Sequence, residues 1–178
     1  MDLINKIEDL LKEDPFKIRH EEKHAKLLNI IKLQIEYHLE RCGPYRLWYE
    51  RNEYIKPKSI RSFDEVPYIP SAVFKYLNLT SSGQQVKEIR SSGTSSQLKS
   101  KISLDSQTSK NQIKSLSKIL SSVIGKRKKS FFIVDIAPES IKSKNNIMSA
   151  RFAGMSGYLL AAKSRNYLLK LDHSGNII

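Results

Sequence analysis

Between Asp2 and Lys12 the apolar residues Leu3, Ile4, Ile7, Leu10 and Leu11 recur every three or four positions. That spacing lines one face of an α-helix. Asp14-Pro15 ends the run, because proline cannot continue a helix. A longer run of the same kind extends from about Glu21 to Arg41, with Leu27, Leu28, Ile31, Ile35 and Leu39 on one stripe. Cys42-Gly43-Pro44 then breaks it. Two amphipathic helices are therefore predicted ahead of any strand signal. From Pro44 to Thr80 the periodicity gives way to aromatics and prolines, among them Tyr45, Trp48, Tyr49, Tyr54, Phe63, Pro67 and Pro70. This stretch reads as a buried connector with short helical turns, one of them capped by Ser71 before Ala72-Val73-Phe74.

Beyond Thr80 serine, lysine and β-branched residues take over. Val86 to Arg90 and Ser100 to Leu104 are short strand candidates on either side of a small, hydroxyl-rich loop. Asp105 is placed to cap a helix carrying Ile113, Leu116, Ile119, Leu120, Val123 and Ile124, which Gly125 closes. The cations Lys126-Arg127-Lys128-Lys129 follow at its C-terminus, where the helix dipole favours them. Phe131-Phe132-Ile133-Val134, ending at Asp135, is an unbroken apolar run of the kind expected for a strand covered on both faces. Tyr167 to Leu171 predicts another strand, Asp172 to Asn176 a turn, and Ile177-Ile178 the start of a further element. Strand, helix and buried strand in that order imply an α/β sheet.

Composition narrows the class. A chain of 178 residues with 39% hydrophobic and 28% charged residues suits one domain with a real core. The single cysteine, Cys42, forms no internal disulfide, and no stretch of about 18 apolar residues occurs. A soluble, cytoplasmic protein without a membrane span is the expectation. The net charge of +13 is unevenly spread: residues 1–80 hold 14 Lys+Arg against 13 Asp+Glu, whereas residues 81–178 hold 17 against 5. An excess of +12 in the second part attracts phosphate, whether on a nucleotide, on coenzyme A or on nucleic acid.

The strongest local candidate for chemistry is Ser91-Ser92-Gly93-Thr94-Ser95-Ser96, with Lys99 just beyond. Small residues let successive backbone N–H groups converge on an anion, hydroxyls add donors, and lysine adds a compact charge. On composition alone a solvated serine-rich hairpin loop accounts for the same residues equally well. A P-loop is rejected, because Leu98 stands at the second glycine position and Lys101-Ile102-Ser103-Leu104 alternates like a strand where a helix is needed. His20-Glu21-Glu22-Lys23-His24 fits a zinc pattern, but it opens a charged surface helix and reads as a chance match. Cys42 reads as a structural thiol, and the basic run 126–129 lacks the interleaved aromatics that would stack bases.

The segments Val66-Pro67-Tyr68-Ile69-Pro70-Ser71-Ala72-Val73-Phe74-Lys75, Ile89 to Ser96, and Ser100 to Thr108 with its Asp105 and Thr108 resemble, in that order, the acyl-protein synthetase family. That family supplies the fatty-acid-activating component of the bacterial bioluminescence fatty-acid reductase and belongs to the adenylate-forming superfamily. Phe152-Ala153-Gly154-Met155-Ser156-Gly157-Tyr158 is similar to the family's glycine-containing segment after the central strand. The resemblance implies ATP and Mg²⁺ as cofactors and a fatty or other carboxylic acid as substrate. It implies an acyl-adenylate intermediate and an acyl-accepting protein or thiol as partner. Ser91, Ser92, Gly93, Thr94, Ser95 and Ser96 would embrace the ATP phosphates, with Lys99 as auxiliary cation. No catalytic residue or metal ligand is assigned. This chain departs from the family at Ser95-Ser96-Gln97, where Thr-Gly and a small residue are usual.

Family members are about twice this length, and their later motifs have no counterpart before Ile178. The resemblance therefore implies residues 1–43 as an N-terminal helical region and residues 44–178 as the beginning of a truncated adenylate-forming α/β domain. Such a piece would be inactive alone and would be completed by a separately encoded C-terminal half. The alternative from another class is a basic nucleic-acid-binding module, carried by the +12 of residues 81–178 and disfavoured once the loop is read as a phosphate site.

Overall fold

The computed structural model describes residues 2–81, 83, 87–91, 98–137, 147–172, 174 and 177–178. Helix α1, Asp2–Lys12, and helix α2, His20–Arg41, form where the apolar spacing places them. Lys26 of α2 ties them together, with its Nζ 2.6 Å from Glu13 and 2.7 Å from Glu22. The Cys42 N–H donates to the His38 carbonyl at 2.9 Å and closes α2. The chain leaves helical conformation only at Cys42, whose backbone is extended. Gly43-Pro44 opens a third helix, α3, Gly43–Arg51, so three helices rather than two precede the first strand. Proline is harmless in a first turn, since the N–H it lacks has no intrahelical partner to lose.

The rest of the connector makes 3-10 turns at Pro57–Ser59, Phe63–Glu65 and Ser71–Lys75. Pro70 stands at the cap of the last turn and no side chain caps it, so Ser71 is the first residue of that turn and not its cap. The aromatic residues are where the core is. Leu28 and Ile35 of α2, Cys42, Tyr45 and Tyr49 of α3, and Ile60 form one buried cluster, and Ile60 is wholly enclosed. Trp48, Tyr54, Phe63, Val66 and Ile69 pack around it, so the cluster lies on both sides of position 43. Lys32 Nζ donates to the Ile60 carbonyl at 2.7 Å, and the Tyr49 hydroxyl donates to the Ile55 carbonyl at 2.5 Å.

Strand β1, Lys87–Arg90, is central in a three-stranded sheet. It runs antiparallel to β2, Lys101–Leu104, with Ile89 opposite Ile102, and parallel to β4, Ile147–Ser149, with Ile89 opposite Met148. Between β2 and β4 come α4, Ser106–Ile124, and β3, Lys129–Ile136. After β4 come α5, Ala150–Tyr158, and β5, Ala162–Leu169, which pairs in parallel with β3. The molecule is thus mixed α/β. Asp105 caps α4 by accepting from the Thr108 N–H at 2.6 Å, and Gly125 ends it at a φ of +83°, a conformation that favours glycine. Lys118 Nζ donates to the Leu11 carbonyl at 2.9 Å and joins α4 to α1.

Two strand expectations change. Strand β3 runs to Ile136, and as far as Asp135 only one face is covered: Ile133 and Asp135 are buried, whereas Phe132 and Val134 are 73% and 76% exposed, and Ile136 is buried beyond a register irregularity in the pairing with β5. Successive strand side chains point to opposite faces, so an apolar run does not reveal how many faces have a partner. At the C-terminal turn, Lys170 and Ile178 exchange N–H···O=C bonds at 2.9 Å each, so Ile178 returns alongside the preceding strand segment. No helix among the described residues is long and apolar enough to cross a membrane.

Candidate functional site

The loop singled out in the sequence is bounded by β1 and β2. Beyond the last ladder pair, Arg90 opposite Lys101, the Ser91 N–H donates to the Ser100 carbonyl at 3.1 Å. The Ser100 N–H donates back to Ser91 Oγ at 3.1 Å. The two chain ends that bound the loop are therefore clamped side by side, with the Ser91 hydroxyl as part of the clamp. Ser92, Gly93, Thr94, Ser95 and Ser96 lie outside the described residues. Lys99, on the returning arm, is exposed and one residue from the clamp. The Arg90 guanidinium pairs with Glu88 on the same strand, which places a cation at the loop-proximal end of β1.

Strand β2 leads directly into the Asp105 cap, so the hydroxyl loop and the α4 N-terminus are joined by four strand residues. That N-terminus opens on a cleft of about 290 Å³. Its apolar wall is Leu3, Ile4 and Ile7 of α1, and Asp105 and Thr108 border it from α4. The third side is formed by α2 and the segment that precedes β1. There His38 Nδ1 and Ser81 Oγ are hydrogen-bonded at 2.5 Å. Tyr45 stands edge-on to the His38 ring at 5.7 Å, and Tyr37 at 5.9 Å. Burial pushes His38 below its ordinary value of 6.5, because the imidazolium is poorly solvated there.

The other sequence candidates fall in structural roles. Cys42 is 3% exposed and belongs to the aromatic core, away from solvent. The His20 and His24 rings are 6.0 Å apart, and His24 is edge-on to Phe63 at 4.5 Å, a packing contact. Among the described residues no three His, Cys, Asp or Glu side chains converge as metal ligands. The His38–Ser81 pair had no sequence signal of its own. Its members are 43 positions apart, and only the return of the connector onto α2 brings them together.

The whole chain matches a known family. A family model described as acyl-protein synthetase, LuxE, covers residues 2–178. No curated protein and no solved structure gives a match. The matched span takes in all five α-helices, both sheets and the clamped ends at Ser91 and Ser100, and the chain belongs to the LuxE acyl-protein synthetase family.

Proposed function

We propose that the chain is an ATP-dependent acyl-protein synthetase in which the segment between β1 and β2 binds the ATP phosphates. A fatty or other carboxylic acid would attack the α-phosphate of ATP, pyrophosphate would leave, and the acyl group would pass to a protein or thiol acceptor. The observation that carries this reading is the family match over residues 2–178, within which Ser91 and Ser100, the residues bounding the serine- and threonine-rich segment, are clamped side by side. Charge builds on phosphate oxygens in such a step, and backbone N–H groups, hydroxyls and a lysine are the groups that stabilise it. Ser92, Gly93, Thr94, Ser95 and Ser96 would supply the donors and Lys99 the cation. The adenylate-forming α/β architecture and the supply of ATP in the cytoplasm belong to the same reading.

Mg²⁺ commonly reaches such sites on the nucleotide phosphates, held by one or two carboxylates. Asp105 keeps its carboxylate on the Thr108 N–H and Glu88 is paired with Arg90, so no ready-made ligand set for Mg²⁺ stands beside the loop among the described residues, and no step is routed through it.

Equilibrium binding of ATP to the full chain tests the reading. Replacing Ser92 and Thr94 together by Ala should weaken binding about tenfold or more, as loss of charge-assisted hydrogen bonds requires. Lys99→Gln should weaken it less. Unaltered ATP affinity in the double variant would overturn the assignment of the loop. The +12 of residues 81–178 supports a second reading, nucleic-acid binding. A steep loss of DNA or RNA affinity with salt, unaffected by the loop substitutions, would favour it.

A further inference from the structure

The cleft between α1, α2 and the α4 N-terminus holds a nucleophile–base pair that the nucleotide reading does not use. We propose that Ser81 is an acyl-accepting nucleophile, with His38 as its general base, and that the cleft takes a short activated acyl group. The proposal rests on the synthetase reading only for the class of donor; the geometry stands apart from the loop.

A serine hydroxyl is a weak nucleophile until a base receives its proton. The His38 Nδ1 to Ser81 Oγ contact at 2.5 Å is within the reach that proton transfer needs. Both residues are half-buried, so they border the cleft without being sealed from it. Burial lowers the His38 pKa, which keeps the imidazole neutral and able to accept. Tyr37 and Arg41 flank it on α2, Tyr45 faces its ring from α3, and Asp105 lies across the cleft on α4 with its carboxylate on the Thr108 N–H. Segment 79–81 and α1 contribute only uncharged lining residues.

Leu3, Ile4, Ile7 and Leu79 give the cleft an apolar wall suited to an alkyl chain. Its 290 Å³ is at the small end of ligand pockets, which run to roughly 300–1,000 Å³, and so it fits a short acyl group. The Gln34 amide and the Thr108 hydroxyl border the same space as donors for a carbonyl oxygen. In the step itself, Ser81 Oγ bonds to the acyl carbonyl carbon and its proton moves to His38. The bond to the leaving group breaks, and that group departs with the electron pair and takes the proton from His38. The products are an acyl ester on Ser81 and the protonated leaving group.

The test uses the full chain and p-nitrophenyl butyrate, a donor already activated, so ATP is absent. A burst of p-nitrophenol close to one per chain is expected, with the butyryl group found on Ser81 by peptide mass spectrometry. The burst rate should hold from neutral pH down to about 6.5 and fall below it, as neutral His38 is lost. His38→Gln should slow the burst about 100-fold, and Ser81→Ala should abolish it. Butyryl found only on lysines, or a rate that climbs steadily with hydroxide through pH 7–9, overturns the proposal even if both variants fail to fold. Failure of this burst leaves ATP binding by the loop to be judged by its own variants, and loss of ATP binding leaves the burst intact.

Discussion

Gly157 lies on the buried side of α5, and a Cβ built there would be 2.4 Å from the Leu116 Cβ of α4. Real Cβ atoms do not approach so closely, so the two helices must separate to admit any side chain. Gly157→Ala is expected to destabilise the chain by about 1–3 kcal/mol despite the better helix propensity of alanine, as a lowered midpoint in urea would show. Gly154, in the same helix, meets nothing within 4 Å, and Gly154→Ala should leave the midpoint unchanged or raise it. The Asp105 carboxylate on the Thr108 N–H has a simpler role. Asp105→Ala removes a helix cap and should cost about 1 kcal/mol, with Asp105→Ser recovering most of it. That cap was legible in the sequence because capping is local. The Gly157 contact was not, because it depends on where α5 lands on α4.

Among the elements, β3 separates the two ways an apolar run can be read. Ile133 is 8% exposed, and Ile133→Ala should cost about 2–4 kcal/mol in thermal or urea unfolding. Phe132, its neighbour, points to the other face, and Phe132→Ala should change stability by less than about 0.5 kcal/mol. Equal losses at the two positions would mean that both faces are covered in solution. The helices were easier to read than the strands. Residues Leu3 to Leu11 and Leu27 to Leu39 carry their period in the chain itself. The pairing of β1 with β4 and of β3 with β5 joins segments separated by a helix and other strands, and no local pattern encodes which partners meet.

At the scale of the whole molecule, the aromatic cluster makes stability depend on pH in the alkaline range. Burial first, then the neighbouring Tyr49, Tyr54 and Cys42, push the Tyr45 hydroxyl from 10.0 up to about 12. The folded chain thus holds this proton through a window in which the unfolded chain has released it. Stability is full below pH 10 and falls as the pH rises from 10 towards 12. Tyr45→Phe should flatten part of that fall, measured as the midpoint of thermal melts at pH 8, 10 and 11. An identical slope in the variant would show that Tyr45 titrates as an ordinary exposed phenol.

The sequence by itself determined what is local or summed: two amphipathic helices, the Asp105 cap, the strand pair around the hydroxyl loop, the basic second part, and a family resemblance that the match over residues 2–178 supports. It read Gly43-Pro44 rightly as the end of α2 but missed that the same pair opens α3, because proline stops a helix and starts one with the same ring geometry. The tertiary structure alone decided which face of β3 is buried, which glycine admits no side chain, and that His38 meets Ser81 across 43 positions at the edge of an apolar cleft. Periodicity and capping act over one or two turns, where the chain carries its own neighbours. Burial and side-chain pairing depend on segments that become neighbours only when the core closes.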